Sequence, residues 1–99
     1  MERILKVKYQ REYHEADEWD EYEMAHGRQV WRDQTHEILH GSRKTFERWN
    51  MIRLTVENHD RAHRGGLTMR ELFMAKGVLG NDRPPDDVIR EFDLQEVWP

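Results

Sequence analysis

Apolar positions in this chain come in short, interrupted stretches whose spacing switches between the alternation of a strand and the three-to-four repeat of a helix. Ile4, Leu5, Val7 and Tyr9 partly alternate with Lys6 and Lys8, which predicts a short strand. In residues 12–25 Trp19, Tyr22 and Met24 share a stripe, predicting an acidic amphipathic helix closed by Gly27. Gln29, Val30 and Trp31 then lead into a second strand over residues 34–39 that ends near Gly41 and Ser42. Met51, Ile52, Arg53 and Leu54 alternate as another short strand. Thr55 reads as the N-cap of a helix over residues 56–64 that stops at Gly65 and Gly66. The run Thr68-Met69-Arg70-Glu71 is a capping box opening a further helix, with Leu72, Phe73 and Ala75 as its apolar surface and Gly77 as its end. Residues 81–85 form a turn-rich linker, Asp86 or Asp87 caps one more turn through Val88, Ile89 and Phe92, and the tail carries Val97, Trp98 and Pro99. Strands and helices mixed in this way predict an α+β fold.

Composition narrows the picture. Ninety-nine residues fit one domain with a modest core, so Trp31 and Trp49 are expected to serve as core rather than as platforms for bases. There is no cysteine, which excludes disulfides and thiolate zinc clusters and leaves His, Asp and Glu as the strong metal ligands. No apolar run approaches a membrane span, and the first residues lack the apolar stretch of a signal peptide, so a soluble, cytoplasmic protein without a membrane partner is expected. The net charge of −4 is segregated: residues 1–27 and 77–99 each carry −4, and residues 28–76 carry +4. A basic middle between acidic flanks suits a phosphate-bearing substrate at the centre, and it equally suits plain charge balance on a polar surface. The acidic segment 1–27 reads as a solvated face or as a docking surface for a protein partner.

The basic middle also holds four of the six histidines, His36, His40, His59 and His63, while His14 and His26 lie outside it without ligand spacing. His59 and His63 stand four apart, on one face of the predicted helix, and a chain that doubles back would bring His36 to them. In a regular strand His36, Ile38 and His40 point one way and Glu37 and Leu39 the other. Arg43, Lys44, Arg48, Arg61 and Arg64 are candidate phosphate contacts.

The order His36-Glu37-Ile38, then Asn50-Met51, then His59 and His63 resembles the HNH endonuclease motif. The spacing from Asn50 to His63 is similar to that of the nuclease colicins, and the His-Glu-Ile and Gly-Ser-Arg wording is similar to small phage-type members, for which a bacterial host cell would be the setting. The resemblance covers residues 35–63 and extends towards Gly77. It implies a ββα-metal hairpin-helix over about 34–65, flanked by the acidic segment 1–27 and by C-terminal helices and tail over 67–99, all within one domain 1–99. It implies metal-dependent hydrolysis of nucleic-acid phosphodiesters, DNA being the expected substrate. His36, His59 and His63 match the metal ligands, and Asn50 matches the asparagine that constrains the loop so that the base is oriented. Glu37 departs from the pattern, standing where the family has its histidine base, and His40 is a rival for that role. One divalent ion is implied, with Mg²⁺, Mn²⁺, Ni²⁺ and Zn²⁺ all open. The alternative is a ββα-metal nucleic-acid or protein-binding module that has lost its base.

Overall fold

The computed structural model describes residues 18–99, so the strand expected at residues 4–9, the first part of the helix expected at residues 12–25, and His14 lie outside the described residues. The fold is α+β, with a two-stranded antiparallel sheet and four α-helices among the described residues. In chain order these are α1 (Glu21–Ala25), β1 (Gln34–Glu37), β2 (Met51–Leu54), α2 (Val56–His63), α3 (Met69–Leu79) and α4 (Asp86–Glu91). None of the helices is long and apolar enough to cross a membrane.

β1 and β2 pair with Gln34 opposite Leu54 and Glu37 opposite Met51. Residues 38–50 connect them, and this loop packs inward: Ile38 and Leu39 join Ile52, Leu54, Leu67, Leu72, Phe73, Ala75, Val88, Ile89, Leu94 and Trp98 in one core. The second strand is covered throughout, since all four of its residues are buried, Arg53 included.

The helix ends follow their capping chemistry. Thr55 accepts the Asn58 N–H through its side chain at the start of α2, and Gly65, at φ 80°, ends the turn beyond it. At α3 the Thr68 hydroxyl accepts the Glu71 N–H while the Glu71 carboxylate accepts the Thr68 N–H.

Several local expectations are corrected. Of the described part of the helix expected over residues 12–25, only Glu21–Ala25 is helical, because Asp20 is the N-cap of α1 and Trp19 bridges to Trp31. The acidic face is not simply solvated, since Asp20 and Glu21 are fully buried. Strand β1 stops at Glu37, two residues early, where Ile38 and Leu39 bend into the core. Trp31 is 61% exposed rather than core, while Trp49 stacks against Phe73 as expected of a core aromatic. Gly77 does not end α3. A Cβ there would lie 2.3 Å from Val97 Cγ2, so the glycine lets the C-terminal tail close on the helix, and Gly80 at φ 71° makes the actual cap. Pro85, with no side-chain hydrogen bond, takes the N-cap position of α4, leaving Asp86 and Asp87 in its first turn.

Candidate metal centre

The hairpin and the helix after it bring His36, His59 and His63 together. Opposite residues of an antiparallel pair share a face, so His36 lies on the face of Ile52, and α2 follows directly from β2. Each imidazole offers one nitrogen, and these nitrogens all lie within 4.8 Å of one another. His59 Nε2 and His63 Nε2 are 3.2 Å apart. The rings meet edge-on, with His36 centred 5.1 Å from His59 and 5.3 Å from His63. Zinc–nitrogen bonds of about 2.0–2.1 Å in a tetrahedral site place ligand nitrogens about 3.4 Å apart, so the donor set fits one ion after ring adjustments of about an ångström. Three neutral nitrogens would leave coordination positions for a phosphate oxygen and water.

Electrostatics favour the neutral form that ligation needs. Burial pushes the His36 imidazole down to about 3, with the nearby His59, His40 and His63 adding to the effect. Burial likewise lowers His59, reinforced by His63 and opposed by Asp60 and Glu37. Glu37 therefore acts on the cluster through space although the pleat turns it from His36. His40 also joins the group: its ring lies 5.2 Å from that of His36 and is stacked 6.3 Å from that of His63.

Asn50 is buried at the mouth of the hairpin loop. Its side-chain oxygen accepts the Leu39 N–H at 2.8 Å, and its amide donates to the Leu39 and Thr45 carbonyls at 3.2 and 3.1 Å. Its own carbonyl accepts the Ile38 N–H at 2.8 Å. One side chain and its backbone thus set the conformation of the segment between Glu37 and His40.

No protein-family model, curated protein or solved structure matches this chain.

The candidate phosphate contacts are engaged within the chain. Arg43 makes a two-pronged bond to Glu91 at 2.6 and 2.5 Å, Arg48 reaches Asp82 at 3.3 Å, and Arg64 pairs with Asp60 at 2.7 Å. Lys44 lies over the Phe46 ring, and Arg61 donates to Asn58 and lies over Tyr22. Of these side chains Arg43, Arg48 and Arg64 would have to exchange a carboxylate for a phosphate.

Sequence reasoning missed the polar groups, most of them buried, that hold the centre's elements. Asp20 Oδ2 accepts the Thr55 N–H at 2.6 Å and the Asn58 amide at 3.0 Å, and Asp33 accepts the Val56 N–H at 2.9 Å. Two carboxylates therefore sit at the positive end of α2, the helix carrying His59 and His63. Glu21 accepts the backbone N–H of Arg53 at 3.0 Å and the Asn81 amide at 2.9 Å. For Lys76 a signal existed: it stands three and four residues beyond Phe73 and Leu72, in phase with the buried face of α3.

Proposed function

We propose that this chain is a metal-dependent endonuclease of the HNH type, built on a ββα-metal hairpin-helix, that hydrolyses nucleic-acid phosphodiesters. The observation that carries the reading is the convergence of three imidazole nitrogens from β1 and α2 beside a loop fixed by the buried Asn50. His36, His59 and His63 would hold one divalent ion, whose charge would offset that of the scissile phosphate and the departing oxygen. The chain's own part is to hold its ligands neutral, seat the nucleic acid with Lys44, Arg61 and the ion-paired arginines, and take a proton from water.

Two side chains compete for the last task. Glu37 offers a carboxylate, by its chemistry a weaker base than an imidazole. His40 brings an imidazole to the rim of the cluster. Plasmid nicking in Mg²⁺, Mn²⁺, Ni²⁺ or Zn²⁺ is the test. Nicking that His59→Ala abolishes supports the enzyme, and loss in Glu37→Gln or in His40→Ala assigns the base. Glu37 in place of the motif histidine favours one other reading, a nucleic-acid-binding module without catalysis. DNA binding with no nicking in any of the four metals, together with nicking by Glu37→His, would establish that reading instead.

A further inference from the structure

Lys76 has no exposed surface. Its ammonium donates to the Met51 carbonyl at 2.5 Å, to the Arg48 carbonyl at 3.1 Å and to Asp82 at 3.1 Å, which uses all three protons. Glu21 Oε2 lies 3.7 Å from it and 3.7 Å from the buried Arg53 guanidinium. Two buried cations thus face Glu21 and Asp82, and the half-exposed Arg48 adds a third on Asp82. Taking an ammonium out of water is costly even when it is paired, so a side chain of this kind needs a reason.

The reason lies in which backbone it grips. The two carbonyls flank Asn50, one residue and two residues away, and Asn50 binds the backbone of Ile38 and Leu39. A continuous run of hydrogen bonds therefore leads from α3 through residues 48–51 to residues 38 and 39, next to Glu37 on one side and His40 on the other. We propose that Lys76 is a positioning residue for the proton-accepting side of the centre, fixing the Asn50 turn so that Glu37 and His40 keep their places relative to the histidine triad. This inference rests on the hydrolytic reading of the centre. It separates two functions: β1 and α2 position the metal ligands, and Lys76 with Asn50 positions the base.

The separation can be measured. Lys76→Met leaves the carboxylate of Asp82 behind, so Lys76→Met/Asp82→Asn, which removes one charge of each sign, is made beside it. Circular dichroism reports folding, Co²⁺ titration followed by visible absorption reports the histidine triad, and nicking kinetics give kcat and KM. For Lys76→Met the expected result is a folded protein with the wild-type Co²⁺ spectrum and affinity, an unchanged KM, and a kcat lower by about 100-fold, the scale of an ångström misplacement; the double variant, which also releases Arg48 from Asp82, should show the same kcat loss and Co²⁺ affinity. A folded variant with wild-type kcat, or with a raised KM alone, overturns the role. If wild type cuts while both variants fail to fold, Lys76 is a scaffold residue and the inference is overturned. If wild type neither binds Co²⁺ nor cuts, the hydrolytic reading falls and takes this inference with it.

Discussion

Acidification of the metal-free chain should expose the buried histidine. His36 is 4% exposed and holds its neutral form down to about 3, against an ordinary 6.5. In the unfolded chain the same imidazole takes up a proton below 6.5, so the unfolded state binds more protons and gains relative to the folded one. Stability is complete above pH 6.5 and is lost as pH falls from there towards 3. At pH 5 the gap of one and a half units, at about 1.36 kcal/mol per unit, amounts to about 2 kcal/mol, and any folded value below about 4 gives the same figure. For a chain of this size that is a fall in Tm of about 8–16 °C. Urea melts in chelator at pH 7.5 and 5.0, on wild type and His36→Asn, isolate the contribution, because a carboxamide in that position does not titrate. The variant should lose about 2 kcal/mol less than wild type over this interval. Equal losses in the two proteins, or an NMR titration placing His36 near 6.5, would refute the reasoning.

Two other outcomes test separate parts of the structure. Saturating Ni²⁺ or Zn²⁺ at pH 7.5 should raise stability by about 2.7 kcal/mol at a hundredfold excess over Kd, and His59→Ala should abolish the effect; an unchanged midpoint in wild type counts against the centre. Gly77→Ala should destabilise by about 1–3 kcal/mol despite the better helix propensity of alanine, because its Cβ meets Val97. The double variant Gly77→Ala/Val97→Ala should recover part of that loss in denaturant melts, and a stabilised Gly77→Ala would show that the tail does not pack as described.

What the sequence disclosed and what it concealed divide along physical lines. The β2 strand, the Thr55 cap, the capping box at Thr68 and the proximity of His36 to His59 and His63 were readable because each is written in local spacing or in a doubling back over a short span. Trp31 misled because aromatic area suggests burial, whereas it packs at the surface against Trp19, with ring centres 4.9 Å apart and the planes tilted by 42°. Gly77 misled because a helix-ending glycine and one that admits a neighbouring chain look alike until the neighbour, Val97, is known. The basic middle looked open to phosphate because the partners of Arg43 and Arg48 are remote, Glu91 and Asp82 lying in the acidic C-terminal region.

The buried charges share a property that bears on the centre: many of their bonds go to backbone. Asp20 binds the Thr55 N–H, Glu21 the Arg53 N–H, and Lys76 the Met51 and Arg48 carbonyls. These four groups belong to β2, to the residue after it, or to the 3-10 turn that leads into it. Replacing the charged side chains by apolar ones of similar size would remove the desolvation cost but leave those backbone groups without partners, at about 1–3 kcal/mol for each group. The network therefore constrains position. A small apolar core tolerates a strand that slides or a helix that rolls, whereas a donor aimed at one carbonyl does not. Since His36 is paired across to β2 and His59 and His63 ride on the helix that continues it, Glu21 and Asp20, which hold Arg53 and Thr55 at the α2 end of the strand, fix the separation of the three imidazoles, while Lys76 acts at the Arg48–Met51 end. That matters because the cluster opposes its own protonation: the neighbouring imidazoles help to hold His36 neutral, and they do so only while the spacing is kept.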